Sequence, residues 1–321
     1  MLRNAICLAS LVALFAASTA AQEYPDQPIR LIVPFAAGGT TDLTGRIMAE
    51  QLGAELGSQV IVENIDGAGG TVGAEAGARA RPDGYTLILH VASTSAINPF
   101  LYPNNSIDMR EDFEPISLMT RAPLILLARK DFPAQTIEEF IALAKQNPGQ
   151  YNYGSSGNGT IAHLSGALLE RETGIDIVHI PYRGGGPAMN DLIAGVIDIL
   201  IDNLPTGLVQ VNAGNVKALA ITSATRSAAI PGLPTLAESG YPNYNTYSWG
   251  AIYAPNDAPA EIIEILAEAA IATAQDVETI ARLEDLGSEV IGSTPEELAT
   301  FRDEMLDYWE PIVAASGARI E

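Results

Sequence analysis

Apolar runs alternate with stretches of helical periodicity along nearly the whole chain. Residues 29–35 read as a buried strand, and residues 43–56 place Leu43, Ile47, Leu52 and Leu56 on one helical face. A strand is predicted at 60–63, a helix at 71–80 and a third strand at 85–90. This β-α-β-α-β order implies an α/β fold with a mostly parallel sheet covered by helices.

A second series starts at 124–128. It continues with a helix at 137–146, stopped by Asn147-Pro148-Gly149, a short strand at 151–154, a helix at 161–171 and a strand at 175–180. A short helix at 188–194 and strands at 197–201 and 216–222 follow. After Trp249 come an apolar stretch at 251–253 and helices at 260–273, 277–286 and 295–314. Thr294-Pro295 with Glu296 and Glu297 is a helix start whose acids favour the N-terminal dipole.

The first residues read differently. Arg3, an apolar run at 5–17 and then Ser18-Thr19-Ala20-Ala21 have the layout of a secretory signal, giving a mature chain that begins near residue 22. The run is shorter than the ~20 residues that span a bilayer. The only cysteine, Cys7, falls inside it, so the mature chain is expected to hold neither disulfide nor thiol nucleophile. The 321 residues suffice for two domains.

The formal charge of −22 argues against nucleic acid and anionic lipid as partners. It also repels an anionic ligand at long range. Salt screens such repulsion beyond about 10 Å at 0.1 M, so donors at contact distance decide what binds.

Such donors are suggested by glycine-rich turns at four helix starts: Gly38-Gly39-Thr40-Thr41-Asp42, Gly67-Ala68-Gly69-Gly70, the segment 155–160, and Gly184-Gly185-Gly186-Pro187. The first N–H groups of a helix lack intrahelical partners, and the helix dipole adds partial positive charge there. Such an end binds anions without Lys or Arg. In an α/β sheet these turns gather at the carboxyl ends of the strands, where ligands bind. Each turn taken alone is also explained by capping or tight connection; two in each half favour a shared cleft.

Other chemistry is sparse. Gly157-x-Gly159-x-x-Ala162 is a relaxed dinucleotide fingerprint, but its preceding strand is short and polar, and Asp176 falls at the wrong end of the next one. His90, His163 and His179 lack metal-ligand spacing, and no Gly-x-Ser-x-Gly elbow occurs. His163, in the first turn of its helix, is placed either to reach a ligand or to pack. Asp198 and Asp202 share one strand face. Asp202-Asn203, at the carboxyl end, suits a ligand amine or hydroxyl, or else an Asx turn. Tyr247 and Trp249 suit core packing or an apolar wall.

Together the ordered motifs carry a resemblance. Val33-Pro34-Phe35-Ala36-Ala37-Gly38-Gly39-Thr40, Val62-Glu63-Asn64, Arg81-Pro82-Asp83-Gly84-Tyr85, Tyr153-Gly154-Ser155-Ser156-Gly157, His179-Ile180-Pro181-Tyr182-Arg183-Gly184 and Pro231-x-x-Pro234-Thr235 occur in sequence, with a late Trp309. The chain resembles the Bug family, the substrate-binding receptors of tripartite tricarboxylate transporters, over essentially its whole mature length.

The resemblance implies a type II periplasmic binding protein fold, with one lobe at 22–123 plus 250–321 and the other at 124–249. It implies that main-chain donors around Phe35, Ala37, Gly38, Gly39, Thr40, Thr41 and Asp42, and the turn at Ser93 and Thr94, hold a ligand carboxylate. Ser155, Ser156, Asn158 and Thr160, with Arg183 and Gly184, are expected to shape the far end; His163 and Asp202 join them on the residue reading above. The family more often has Ser-Ala-Pro where this chain has Gly185-Gly186-Pro187, which removes one side-chain donor. The implied function is a monomeric periplasmic receptor for a small carboxylate, serving one large and one small membrane subunit, with no cofactor, metal or catalytic residue. A sensory co-receptor for a membrane kinase shares that fold; a secreted hydrolase would need a nucleophile–base pair.

Overall fold

A computed structural model describes residues 24–102 and 106–316. The secretory segment read at 1–21, with Cys7, lies outside them. Strand β1 (Ile29–Val33) is flanked in parallel by β2 (Val60–Asn64) and β3 (Thr86–Val91). Ile29, Leu31, Ile32 and Val33 are fully buried, as a strand covered on both faces requires. β1 ends before the expected Phe35 because Pro34 has no N–H for the ladder. Helices α1 (Thr40–Leu56) and α2 (Thr71–Ala78) make the crossovers. Ser93–Ile97, read from sequence as a turn, forms one wide helical turn leading into α3 (Asn98–Leu101).

The second lobe repeats the plan. β5 (Asn152–Ser155) lies parallel between β6 (Val178–Pro181) and β7 (Ile199–Asn203). Around them run α4 (Ile137–Gln146), α5 (Ile161–Thr173), α6 (Gly185–Ile193) and α7 (Leu204–Asn212). No element was expected at α7. Pro205 reads as a breaker in sequence, yet in the first turn its missing N–H costs nothing.

Two long antiparallel strands join the lobes and interrupt the mostly parallel sheet expected from sequence. β4 (Phe113–Arg129) pairs with β9 (Tyr247–Pro255) through Phe113–Pro123. From Leu124 onward it pairs with β7 and with β8 (Val216–Ile221). The change of partners falls between Pro123 and Leu124. Only the second half of β4 was legible in sequence, because Pro115, Arg121 and Pro123 interrupt the apolar pattern of the first.

Thr222 stitches this junction. Its Oγ1 accepts from the Leu124 N–H at 2.8 Å and faces the Thr246 carbonyl at 2.8 Å, and the Thr246 N–H donates to the Thr222 carbonyl at 3.0 Å. Both crossings are therefore tied to one hydroxyl.

The chain then returns to the first lobe as α8 (Ala260–Gln275), α9 (Val277–Asp285), β10 (Glu289–Val290) and α10 (Pro295–Ser316). The α10 start is a capping box: the Glu297 N–H donates to Thr294 Oγ1, and the Thr294 N–H donates to the Glu297 carboxylate. No helix among the described residues is long and apolar enough to cross a membrane.

Candidate ligand cleft between the lobes

The carboxyl ends of β1, β3, β5 and β7 face one another across the lobe junction, and a narrow cavity lies between them. Its walls are Phe35, Gly39, Thr40, Thr41, Val91, Ser93, Ser156, Thr160, Ile161, Gly185, Asp202, Asn203 and Ser248. Three helices begin at this cavity. The N-cap positions of α1, α6 and α7 are Gly39, Gly184 and Asn203, and none supplies a side-chain cap. The first-turn amides of α1 and α6 therefore remain available to a ligand, whereas at α7 Pro205 has no N–H to offer. The fourth helix there, α5, is capped by Thr160, whose Oγ1 accepts from the His163 N–H. Neither Lys nor Arg lines the cavity; Asp202 is its one ionisable group among the described residues.

The lobes are closed on one another. The Ala36 N–H donates to the Arg183 carbonyl at 3.5 Å, and the Tyr102 hydroxyl donates to the Asn158 carbonyl at 3.2 Å. A Cβ on Gly186 would lie 2.8 Å from the Ala37 carbonyl oxygen, so only glycine lets α6 come this near. Gly159, part of the apparent dinucleotide fingerprint, has the same explanation: a Cβ there would overlap Leu101 of the other lobe.

Asp202 is buried, and its Oδ2 accepts the Thr206 hydroxyl. Thr206 Oγ1 lies 2.8 Å from Thr40 Oγ1 on the opposite lobe. Since Thr206 gives its proton to Asp202, Thr40 donates to Thr206, forming a directed chain from α1 to β7. Burial pushes the Asp202 carboxyl up to about 6, against the lowering effect of its hydrogen bonds.

The structure brings Phe35, Gly39, Thr40, Thr41, Ser93, Ser156, Thr160 and Asp202 together on the cavity wall. The remaining candidates support it from outside. Asp42 faces inward from α1, accepting from the Gly38 N–H at 3.0 Å and Asn64 Nδ2 at 3.0 Å, and pairing with Arg46 at 2.8 Å. Burial works against its charged form, but these partners outweigh burial and hold its pKa below the usual value. Ala37 and Gly38 are exposed, and the Gly38 amide is already taken by Asp42.

Thr94 Oγ1 accepts from the Val91 N–H at 3.0 Å and meets His90 Nδ1 at 3.0 Å. Arg183 is exposed, and Gly184 and Asn158 approach the other lobe through their backbones.

His163 does not reach the cavity wall. Its Nδ1 accepts from the Gly159 N–H at 3.1 Å, and its ring stacks on His179 with centroids 4.0 Å apart. His179 Nε2 is 2.7 Å from Ser155 Oγ, a contact that on paper is a nucleophile–base pair. Ser155 is fully buried, however, and its Oγ accepts the Gly157 N–H at 3.2 Å, closing the 155–157 turn. Burial drives His179 down to about 3, helped by the neighbouring His163, whose own pKa burial also lowers. The histidines act as a neutral, stacked floor beneath the loop. Asp198 serves the same lobe structurally, pairing with Arg129 at 3.1 Å and accepting from the Asn152 N–H at 3.2 Å.

Val91, Ile161, Gly185, Asn203 and Ser248 complete the wall without having been chosen as ligand contacts. Gly185 and Asn203 flank chosen residues, and their position at a strand end or helix start was a usable signal. Val91 and Ser248 carry no such signal: both lie on strands whose apolar pattern reads as core.

The family model described as the tripartite tricarboxylate transporter family receptor matches residues 44–318. Protein BugT of Bordetella pertussis is 35% identical over 307 residues, covering 95% of this chain and 94% of BugT. An R. palustris protein solved with adipate superposes with a TM-score of 0.89 at 32% identity, covering 92% of this chain and all of that one. MatC from Rhodopseudomonas palustris, solved with bound malate, gives 0.85 at 32% identity, covering 90% of this chain and all of MatC.

Proposed function

The chain belongs to the tripartite tricarboxylate transporter receptor family, and from that premise we propose that it is a periplasmic receptor holding a small organic acid by its carboxylate in the cleft between its lobes. One observation carries this reading: the uncapped N-termini of α1 and α6, one from each lobe, open on one cleft whose wall has no basic side chain. Anion binding there rests on peptide dipoles and N–H donors, which suits a strongly acidic protein.

The lobes are taken as 22–123 with 250–321 and as 124–249, a division that the partner switch in β4 supports. Opening pivots about Thr222. The ligand stabilises the closed form to the extent that it binds that form better than the open one. The bound carboxylate bridges donors from both lobes, so its binding energy is spent on closure. In this reading the receptor works as a monomer that delivers its ligand to the membrane subunits without turning it over.

Calorimetric titration with a panel of organic acids tests the reading. At least one acid binds the wild type, and Thr40→Pro weakens it strongly while Thr40→Ala does so only slightly. Proline suits the first position of a helix, and Gly39 is already extended, as a residue before proline must be. The substitution thus deletes the amide donor and leaves the helix intact. Equal affinity in wild type and Thr40→Pro contradicts the assignment.

A further inference from the structure

The cavity has two unlike poles. At the α1 and α6 starts it presents N–H groups. At the β7–α7 corner it presents acceptors, and the hydroxyl protons nearby point elsewhere: Thr40 donates to Thr206, and Thr206 donates to Asp202. Asn203, which lines the same corner, has a buried Oδ1 without a hydrogen-bond partner among the described residues. A buried acceptor left unpaired costs free energy, and that cost is relieved by whatever brings it a donor.

Gly185 keeps this corner open. A Cβ at that position would lie 2.8 Å from Asp202 Oδ1, so any larger residue would press on the carboxylate or cover it. Among the wall residues, then, the acid that meets an incoming donor is Asp202, held by Thr206 and the Asn203 N–H and left uncovered only on the side where Gly185 has no side chain. A plain carboxylate placed there meets an acceptor with an acceptor; an acid bearing a hydroxyl or an ammonium group close to its carboxylate does not.

We propose that Asp202, with Asn203, forms a donor-reading subsite that selects acids carrying a hydroxyl or ammonium group over the same acids without one. This rests on the carboxylate-receptor reading above and sharpens it to a ligand class. The raised pKa of Asp202 fits, since a ligand ammonium or hydroxyl returns the stabilisation that burial removes from the ionised form.

The test uses L-malate, L-aspartate and succinate, four-carbon diacids that differ only in a hydroxyl, an ammonium or a hydrogen. Titration calorimetry at pH 7.5 on the wild type should show malate or aspartate binding about tenfold or more tightly than succinate, the size of one good hydrogen bond to a charged group. Which of the two wins tells hydroxyl from ammonium. Asp202→Asn should bring the three constants to within about threefold of one another. Gly185→Ser, whose hydroxyl would reach Asp202, should do the same without removing the carboxylate, so the result does not depend on one variant folding.

The proposal is overturned if succinate binds the wild type as well as the other two, or if the preference survives both substitutions. It is also overturned if each variant weakens all three acids equally. If the wild type binds none of the three and no other organic acid, the receptor reading falls as well. If succinate or adipate binds tightly while malate and aspartate gain nothing, only the selectivity falls.

Discussion

Asp202 and Thr40 hold opposite ends of the same hydrogen-bond chain, and their substitutions should act in opposite directions. Asp202 has a folded-state pKa of about 6 against an ordinary 3.8. Between those values the folded protein binds the extra proton, so its stability falls as pH rises through that window and stays lower above it. The cost at neutral pH is on the order of 3 kcal/mol at most. Asp202→Asn should therefore raise the melting temperature of the unliganded protein at pH 7.5, with the gain fading as pH drops toward 4. A melting series across pH 4–8 checks this; a variant less stable at every pH would contradict it. Thr40→Pro should cost ligand affinity roughly ten- to hundredfold, the value of one N–H bond to a charged acceptor, with calorimetry as the measure.

Among elements, the junction depends on Thr222. Thr222→Val keeps the side-chain shape but leaves the buried Leu124 N–H without its 2.8 Å partner. A loss of about 1–3 kcal/mol is expected in denaturant unfolding; a change near zero would show that Thr222 does not hold the crossings.

Element order was largely legible in sequence because β1, β3 and α4 obey simple periodicity. The crossings were not: prolines and Arg121 hide the first half of β4, and nothing local marks a strand that changes sheets at Pro123. α7 was missed because Pro205 reads as a stop when its place is the first turn. At the candidate site, the glycine turns pointed to strand ends that border the cavity, and Thr40, Ser93, Ser156 and Asp202 line it. The turn at 67–70 does not; it abuts Asn158 across the junction, where a Cβ on Gly69 would lie 2.6 Å from the Asn158 carbonyl. Asp42 and His163 lie off the cavity wall with partners of their own, which sequence does not show, since it reveals which residue types lie near a turn and not which are already paired.

For the whole molecule, net charge and binding preference have separate origins. The acidic surface acts over a screened range, while in the proposed binding mode the cleft acts through amides at contact distance. Closure is sterically exacting, since backbone meets backbone at Gly186 and Ala37. Gly186→Ala, which adds one methyl outside the cavity wall, should hold the lobes apart. Small-angle scattering with saturating ligand should then give a larger radius of gyration than wild type, with weaker affinity; an identical closed form would show that the close approach is dispensable.

A crystal structure of the protein with a bound organic acid tests the central claim most directly. The account predicts one ligand carboxylate within about 3 Å of the first-turn amide nitrogens of α1, with α6 closed over it and the Asp202 corner at its other end. A ligand seated outside this cavity, or held there by a Lys or Arg side chain with those amides facing water, would contradict it.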